Sequence, residues 1–178
     1  MVAEAASAAD ELGLEALTLA VVAQRLGVRQ PSLYNHVEGL RGLRRELTLL
    51  GGRELLERGR AAAVGRSGRE ALFAIAEAYR TYGRERPALF SALQRVPDAE
   101  DAELVRVAQE LLDLFYAVLA GYHLEGDDAV DAVRGLRALV IGWVTLETGG
   151  GFGMPRDVDR SFHRLLESFD AGLAARRV

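Results

Sequence analysis

Apolar residues in this chain recur at intervals of three and four from one end to the other, and no stretch alternates apolar with polar. That spacing lays one face of a helix against a core and leaves a strand nothing to bury, so it predicts an all-α fold of about nine helices. The first spans Val2 to Leu12, with Ala5, Ala8, Ala9 and Leu12 inward and Gly13 as its stop. A long one carries Leu40, Leu43, Leu47 and Leu50, then Leu55 and Leu56 after Gly51-Gly52, a pair that predicts a kink in either a lever or a passive connector. Ser67 is placed to cap the next, which buries Leu72, Phe73, Ile75, Ala76 and Tyr79 until Pro87 stops it. Ala88 to Leu93 makes a short piece, and Ala99 to Tyr122 a long one. Another runs from Asp127 or Asp128 to Gly149. Asp157 caps the last, where Val158, Phe162, Leu165, Leu166, Phe169 and Leu173 form one stripe.

Within that series the stretch LAVVAQRLGVRQPSLYNHV, Leu19 to Val37, is built differently. Leu19, Val22, Ala23 and Leu26 make one buried face, with Thr18 ahead of it as a cap whose helix end also suits a phosphate. Gly27 supplies a left-handed stop, Val28 is placed to plug the angle, and Pro31 fits the first turn of a second helix. Leu33 and Val37 then face inward, leaving Gln30, Ser32, Asn35 and His36 outside. A polar face of amides and hydroxyls held at a fixed angle is the design of a helix-turn-helix, and it points to sequence-specific DNA binding. The Gln and Asn amides each offer a donor and an acceptor, matching adenine in the major groove. Tyr and His on the other edge can donate to phosphates, and Arg29 can take a guanine or a phosphate. Tyr34 packed on the preceding helix and His36 as a bare surface residue are the alternatives.

Charge sharpens the division. The chain of 178 residues carries a formal net charge of −4. Between Arg25 and Arg45, however, five arginines (Arg25, Arg29, Arg41, Arg44, Arg45) stand against Glu38 alone, a local excess of +4. A basic head on a more acidic body is predicted, divided at 1–46 and 47–178. Absent cysteine excludes disulfides and thiolate metal sites, and the histidines show no metal spacing. No cofactor is implied. The longest apolar run, Ala138 to Leu146, is too short to span a membrane, and no secretory signal is visible at the start, so a cytoplasmic protein is expected.

Thr18 with VAQRLGVRQPSLYNHV, Val22 to Val37, resembles the head of the TetR family of transcriptional regulators. The ending ALVIGWVTLETGGGFGMPRDVDRSFHRLLESF, Ala138 to Phe169, resembles the regulatory domain of that family's WHG-type subgroup. The resemblance implies a homodimer on a palindromic operator, most often repressing and released when a small molecule fills the body. It implies base contacts from Gln30, Pro31, Ser32 and Asn35, phosphate contacts from Tyr34 and His36, and a backbone contact from Thr18. A lysine common near the start of the fourth helix is Leu40 here, with Arg41 as the candidate substitute.

Aromatic residues concentrate in the body, where core packing is the ordinary explanation. A helical bundle can also enclose an apolar site, so Tyr79, Tyr82, Phe90, Phe115, Trp143 and Glu147 are candidates for contact with a small, largely apolar effector. Trp143 and Glu147, one turn apart, are either a ligand-facing or a dimer-surface pair. The last two helices look too apolar for an outer surface, which predicts a four-helix dimer interface through Trp143, Phe162, Leu166, Phe169 and Leu173. An enzyme is not expected, since Asp159, Ser161 and His163 fall on different helix faces. The rival reading is a dimeric helical small-molecule-binding protein that does not bind DNA.

Overall fold

A computed structural model describes residues 1–176. Among them are eight α-helices and two short 3-10 helices, and no strand. The α-helices are α1 (Val2–Leu12), α2 (Leu19–Leu26), α3 (Gly39–Ala63), α4 (Gly68–Glu85), α5 (Pro87–Ala92), α6 (Ala102–Leu119), α7 (Gly126–Thr148) and α8 (Val158–Ala174). The 3-10 helices are Gln30–Asn35 and Ala120–Tyr122. None is long and apolar enough to cross a membrane.

The chain forms two compact units. The first is Met1–Leu55 with Glu85–Gln109; the second is Leu56–Arg84 with the chain from Glu110 onward.

In the first unit α1 buries Ala5, Ala6, Ala8 and Ala9, small side chains that let neighbouring helices come close. Asp10 near its end ties it to α5: Oδ1 accepts the Ala88 N–H at 3.0 Å and Oδ2 accepts from Arg86 Nε at 2.7 Å. Arg86 also reaches Glu54 of α3 at 3.2 Å. Asp101 accepts the Leu104 N–H at 3.1 Å, so α6 starts at Ala102 rather than at Ala99.

The glycine pair does not interrupt α3. Gly51 and Gly52 sit buried inside one continuous helix. A Cβ on Gly52 would lie 2.3 Å from Val107 Cγ1 of α6, so the residue is small because another helix passes there. In the second unit Gly59 repeats the device, since its Cβ would lie 2.6 Å from Leu114 Cδ2. Sequence shows what a helical glycine costs but not what lies opposite it.

The core of the second unit joins α4, α7 and α8 through Leu72, Ile75, Tyr82, Leu136, Phe162 and Leu166, all under 2% exposed. Phe162, Leu166 and Leu173 of α8 therefore face their own chain, which corrects the expectation that they form a dimer surface. Phe169 and Trp143 are half-buried. Among the exposed residues of these two helices are the small ones Ala138, Gly142 and Thr145 on α7 and Ser168, Ala171 and Gly172 on α8, beside charged side chains and Leu146, which is 51% exposed.

Candidate functional site

The helix-turn-helix is assembled by its turn. Thr18 caps α2, its hydroxyl accepting the Val21 N–H at 3.2 Å. Gly27 closes α2 at φ +66°, and Val28 N–H to Ala23 O at 3.0 Å with Gly27 N–H to Gln24 O at 3.2 Å completes a Schellman motif. Val28 is 44% exposed, so it does not plug the angle; Val22 and Ala23 of α2 and Leu33 beyond the turn fill the inside. Pro31 starts the 3-10 segment Gln30–Asn35, whose buried residue is Leu33, and Val37 follows it inward.

That leaves Arg29, Gln30, Pro31, Ser32, Tyr34, Asn35 and His36 exposed, together with Thr18 and, in the first turns of α3, Arg41. Tyr34 is 57% exposed, so its ring is not buried against the preceding helix. Leu40 is half-buried.

The arginines of the head divide into two sets. Arg25 of α2 is taken by Glu11 of α1, through Nη1 at 3.0 Å and a close Nη2 contact. That contact lowers the Glu11 carboxyl below its ordinary range. Arg44 donates to Leu14 O at 3.4 Å and pairs with Glu15 at 3.5 Å. Arg45 holds Asp101, with Glu103 at 3.0 Å and Glu46 at 2.8 Å, and pulls the Asp101 and Glu103 carboxyls down. Arg29 and Arg41 pair with no acid among the described residues. The local excess of +4 counted along the chain is thus largely cancelled by acids from α1, α6 and the turn after α1, which only the fold brings near.

Of the six effector candidates, Phe90 is buried in α5 in the first unit, and the others lie in the second. Tyr79 meets Phe115 edge to face at 4.9 Å between centroids. Tyr82 is fully buried, with the Arg58 guanidinium 5.1 Å over its ring. Trp143 packs against Phe152 at 4.6 Å and Phe162 at 5.2 Å, and its Nε1 is buried without a hydrogen-bond partner. Glu147 is engaged by a residue absent from the sequence expectations. Arg80 of α4, 3% exposed, donates to both its oxygens at 2.8 and 2.6 Å and to Asp159 of α8 at 2.5 Å. A signal existed: Arg80 follows Ala76 by four on an apolar face, and a cation there needs acids from elsewhere. Ser161 donates to Asp157 O and His163 meets Phe73 edge to face at 5.0 Å, so neither joins Asp159 in a relay. No group of three or more metal-ligating side chains occurs among the described residues.

Residues 72–169 match a family model described as tetracycline-repressor-like, C-terminal domain, a description that leaves the subgroup open. Over 170 residues the chain is 32% identical to an HTH-type transcriptional regulator of Bacillus subtilis, YobS, covering 95% of this chain and 88% of that protein. This chain belongs to the TetR family of transcriptional regulators. An HTH-type regulator of Mycobacterium tuberculosis, Rv0681, is 31% identical over 94% of the chain and 77% of its own length. Two solved structures share the fold. One, from Rhodococcus sp. RHA1, has a TM-score of 0.81 at 22% identity, covering 97% of this chain and 93% of its own. The other is a TetR variant from Acinetobacter baumannii in complex with minocycline, with a TM-score of 0.70 at 24% identity over 99% and 96% of the two chains. As a member of this family the chain is a regulator with a helix-turn-helix DNA-binding head and a helical body.

Proposed function

We propose that the chain is a cytoplasmic, ligand-responsive repressor that binds a palindromic operator as a homodimer and leaves it when a small apolar effector occupies the body. Residues 1–46 act as the DNA-binding part, 47–178 as the effector and dimer part. The observation that carries this reading is the set of exposed polar side chains Gln30, Ser32 and Asn35 around a 3-10 turn, with Ser32 and Asn35 on one face, Leu33 and Val37 buried, and a Schellman motif closing the helix before it. Gln30 and Asn35 read base edges, with Pro31 and Ser32 beside them. Tyr34, His36, Arg29, Arg41 and the α2 end at Thr18 hold phosphates.

Trp143, Tyr79, Tyr82 and Phe115 supply the apolar surroundings of the effector. Glu147 serves through Arg80 rather than by facing the ligand. For the dimer, α7 and α8 pair with their copies through Ala138, Gly142, Thr145, Ser168, Ala171 and Gly172. Small side chains there let four helices approach closely.

Selection of bound duplexes from a random pool tests the reading, and a two-fold symmetric consensus is the expected result. Asn35→Ala should then change base preference at one position per half-site, whereas His36→Ala weakens all sequences by a similar factor. Failure to enrich any sequence at low salt would leave a helical binding protein without DNA activity.

A further inference from the structure

Two aromatics of the second unit, Tyr79 and Trp143, bury a polar atom that has no hydrogen-bond partner, and Tyr79 is the more enclosed of the two. It is 5% exposed, and its Oη is shut off from solvent with no hydrogen-bond partner among the described residues. Its neighbours explain why. Phe115 presents a ring edge to face at 4.9 Å, and Gly59 has no side chain to offer, a Cβ there lying 3.6 Å from Tyr79 Cε2.

Burial drives the ionisation of the phenol far above the ordinary tyrosine range, with the exposed Arg137 a smaller opposing influence. At neutral pH the group is therefore an O–H, and a buried O–H with nothing to donate to is costly. The adjacent Arg80 has its guanidinium committed to Glu147 and Asp159, so it rewards no anion.

We propose that the effector is an uncharged, mostly apolar molecule carrying a hydrogen-bond acceptor, such as a ketone, ester, amide or ether oxygen, to which Tyr79 Oη–H donates. This rests on the ligand-responsive reading above and gives it a chemistry. A hydrocarbon of the same shape would leave the hydroxyl alone; an acceptor supplies the missing partner, and that difference is the source of selectivity.

Four probes of nearly one shape separate the possibilities on the full chain: acetophenone (neutral acceptor), cumene (no acceptor), benzoate (anion) and 1-phenylethylammonium (cation). Titration calorimetry should give acetophenone about tenfold tighter binding than cumene, and than either ion. Tyr79→Phe should abolish that preference by weakening acetophenone alone. Ligand-free, the variant should melt no lower than the wild type, because the removed hydroxyl had no partner.

Equal binding of cumene and acetophenone, tighter binding of an ion, or no binding of any probe at millimolar concentration overturns the proposal. So does a preference that survives in Tyr79→Phe. A variant that melts lower also overturns it, since the hydroxyl is then already bonded at rest, for instance to a trapped water. That last result leaves the regulator reading untouched, which fails only in the duplex selection.

Discussion

Arg80 is a cation placed where its helix needs an apolar side chain, and it is tolerated because Glu147 and Asp159 accept from it while Phe162 lies 4.8 Å over its guanidinium. Removing one partner of such a group strands the other. Arg80→Met is expected to cost about 3 kcal/mol in urea unfolding, and Glu147→Gln less, because Asp159 still accepts. The hydrogen bond from Arg80 holds the Glu147 carboxyl below its ordinary value of 4.5, against burial that raises it. A carboxyl lowered in the folded state contributes stability that is full above the unfolded value and is lost as pH falls through the folded one. Wild-type stability should therefore fall as pH drops below about 4.5, and Glu147→Gln should flatten that fall in melts taken across the acid range. None of this was legible from spacing. The partners stand 67 and 79 residues away along the chain, so an arginine on an apolar stripe signals only that acids must arrive from somewhere.

At the scale of helices, glycine tells two opposite stories. Gly52 lies under Val107, whose branched Cβ cannot easily swing aside in a helix. Gly52→Ala should therefore lose about 1 kcal/mol, the crowding outweighing the gain in helix propensity. Gly142, on the exposed face of α7, meets nothing within 4 Å. Gly142→Ala should gain up to about 1 kcal/mol in a single chain, and thermal melts of the two variants at concentrations low enough to keep the chain monomeric would show the difference in sign. Helix positions were readable where the ends are local. α1 and α2 run between the residues that their apolar faces and closing glycines imply, Val2–Leu12 and Leu19–Leu26. The start of α6 was misplaced because Asp101, a cap, outranks the periodicity of the residues before it. Of the α8 stripe Phe162, Leu166 and Leu173 are buried and Val158, Leu165 and Phe169 half-buried; α4 and α7 of the same chain supply cover, and a periodicity does not name its partner.

For the molecule as a whole, two measurements bear on assembly and on DNA. If the exposed small residues of α7 and α8 form the dimer seam, Gly142→Leu should shift sedimentation from dimer to monomer at micromolar concentration while leaving helicity unchanged. On DNA, salt dependence counts the cations that neutralise phosphates. With Arg29 and Arg41 alone available in each of two heads, the slope of log affinity against log salt should be about −4, whereas all five head arginines would give about −9. Swinging Arg25 or Arg45 toward a phosphate would not help, since the carboxylate left behind stays close and repels it. A regulator whose positive charge is largely spent inside its own fold gains little from random genomic sequence. Fewer of its copies are held up on the wrong stretches of chromosome, and its hold on the right one comes from the fit of a few side chains rather than from attraction at a distance.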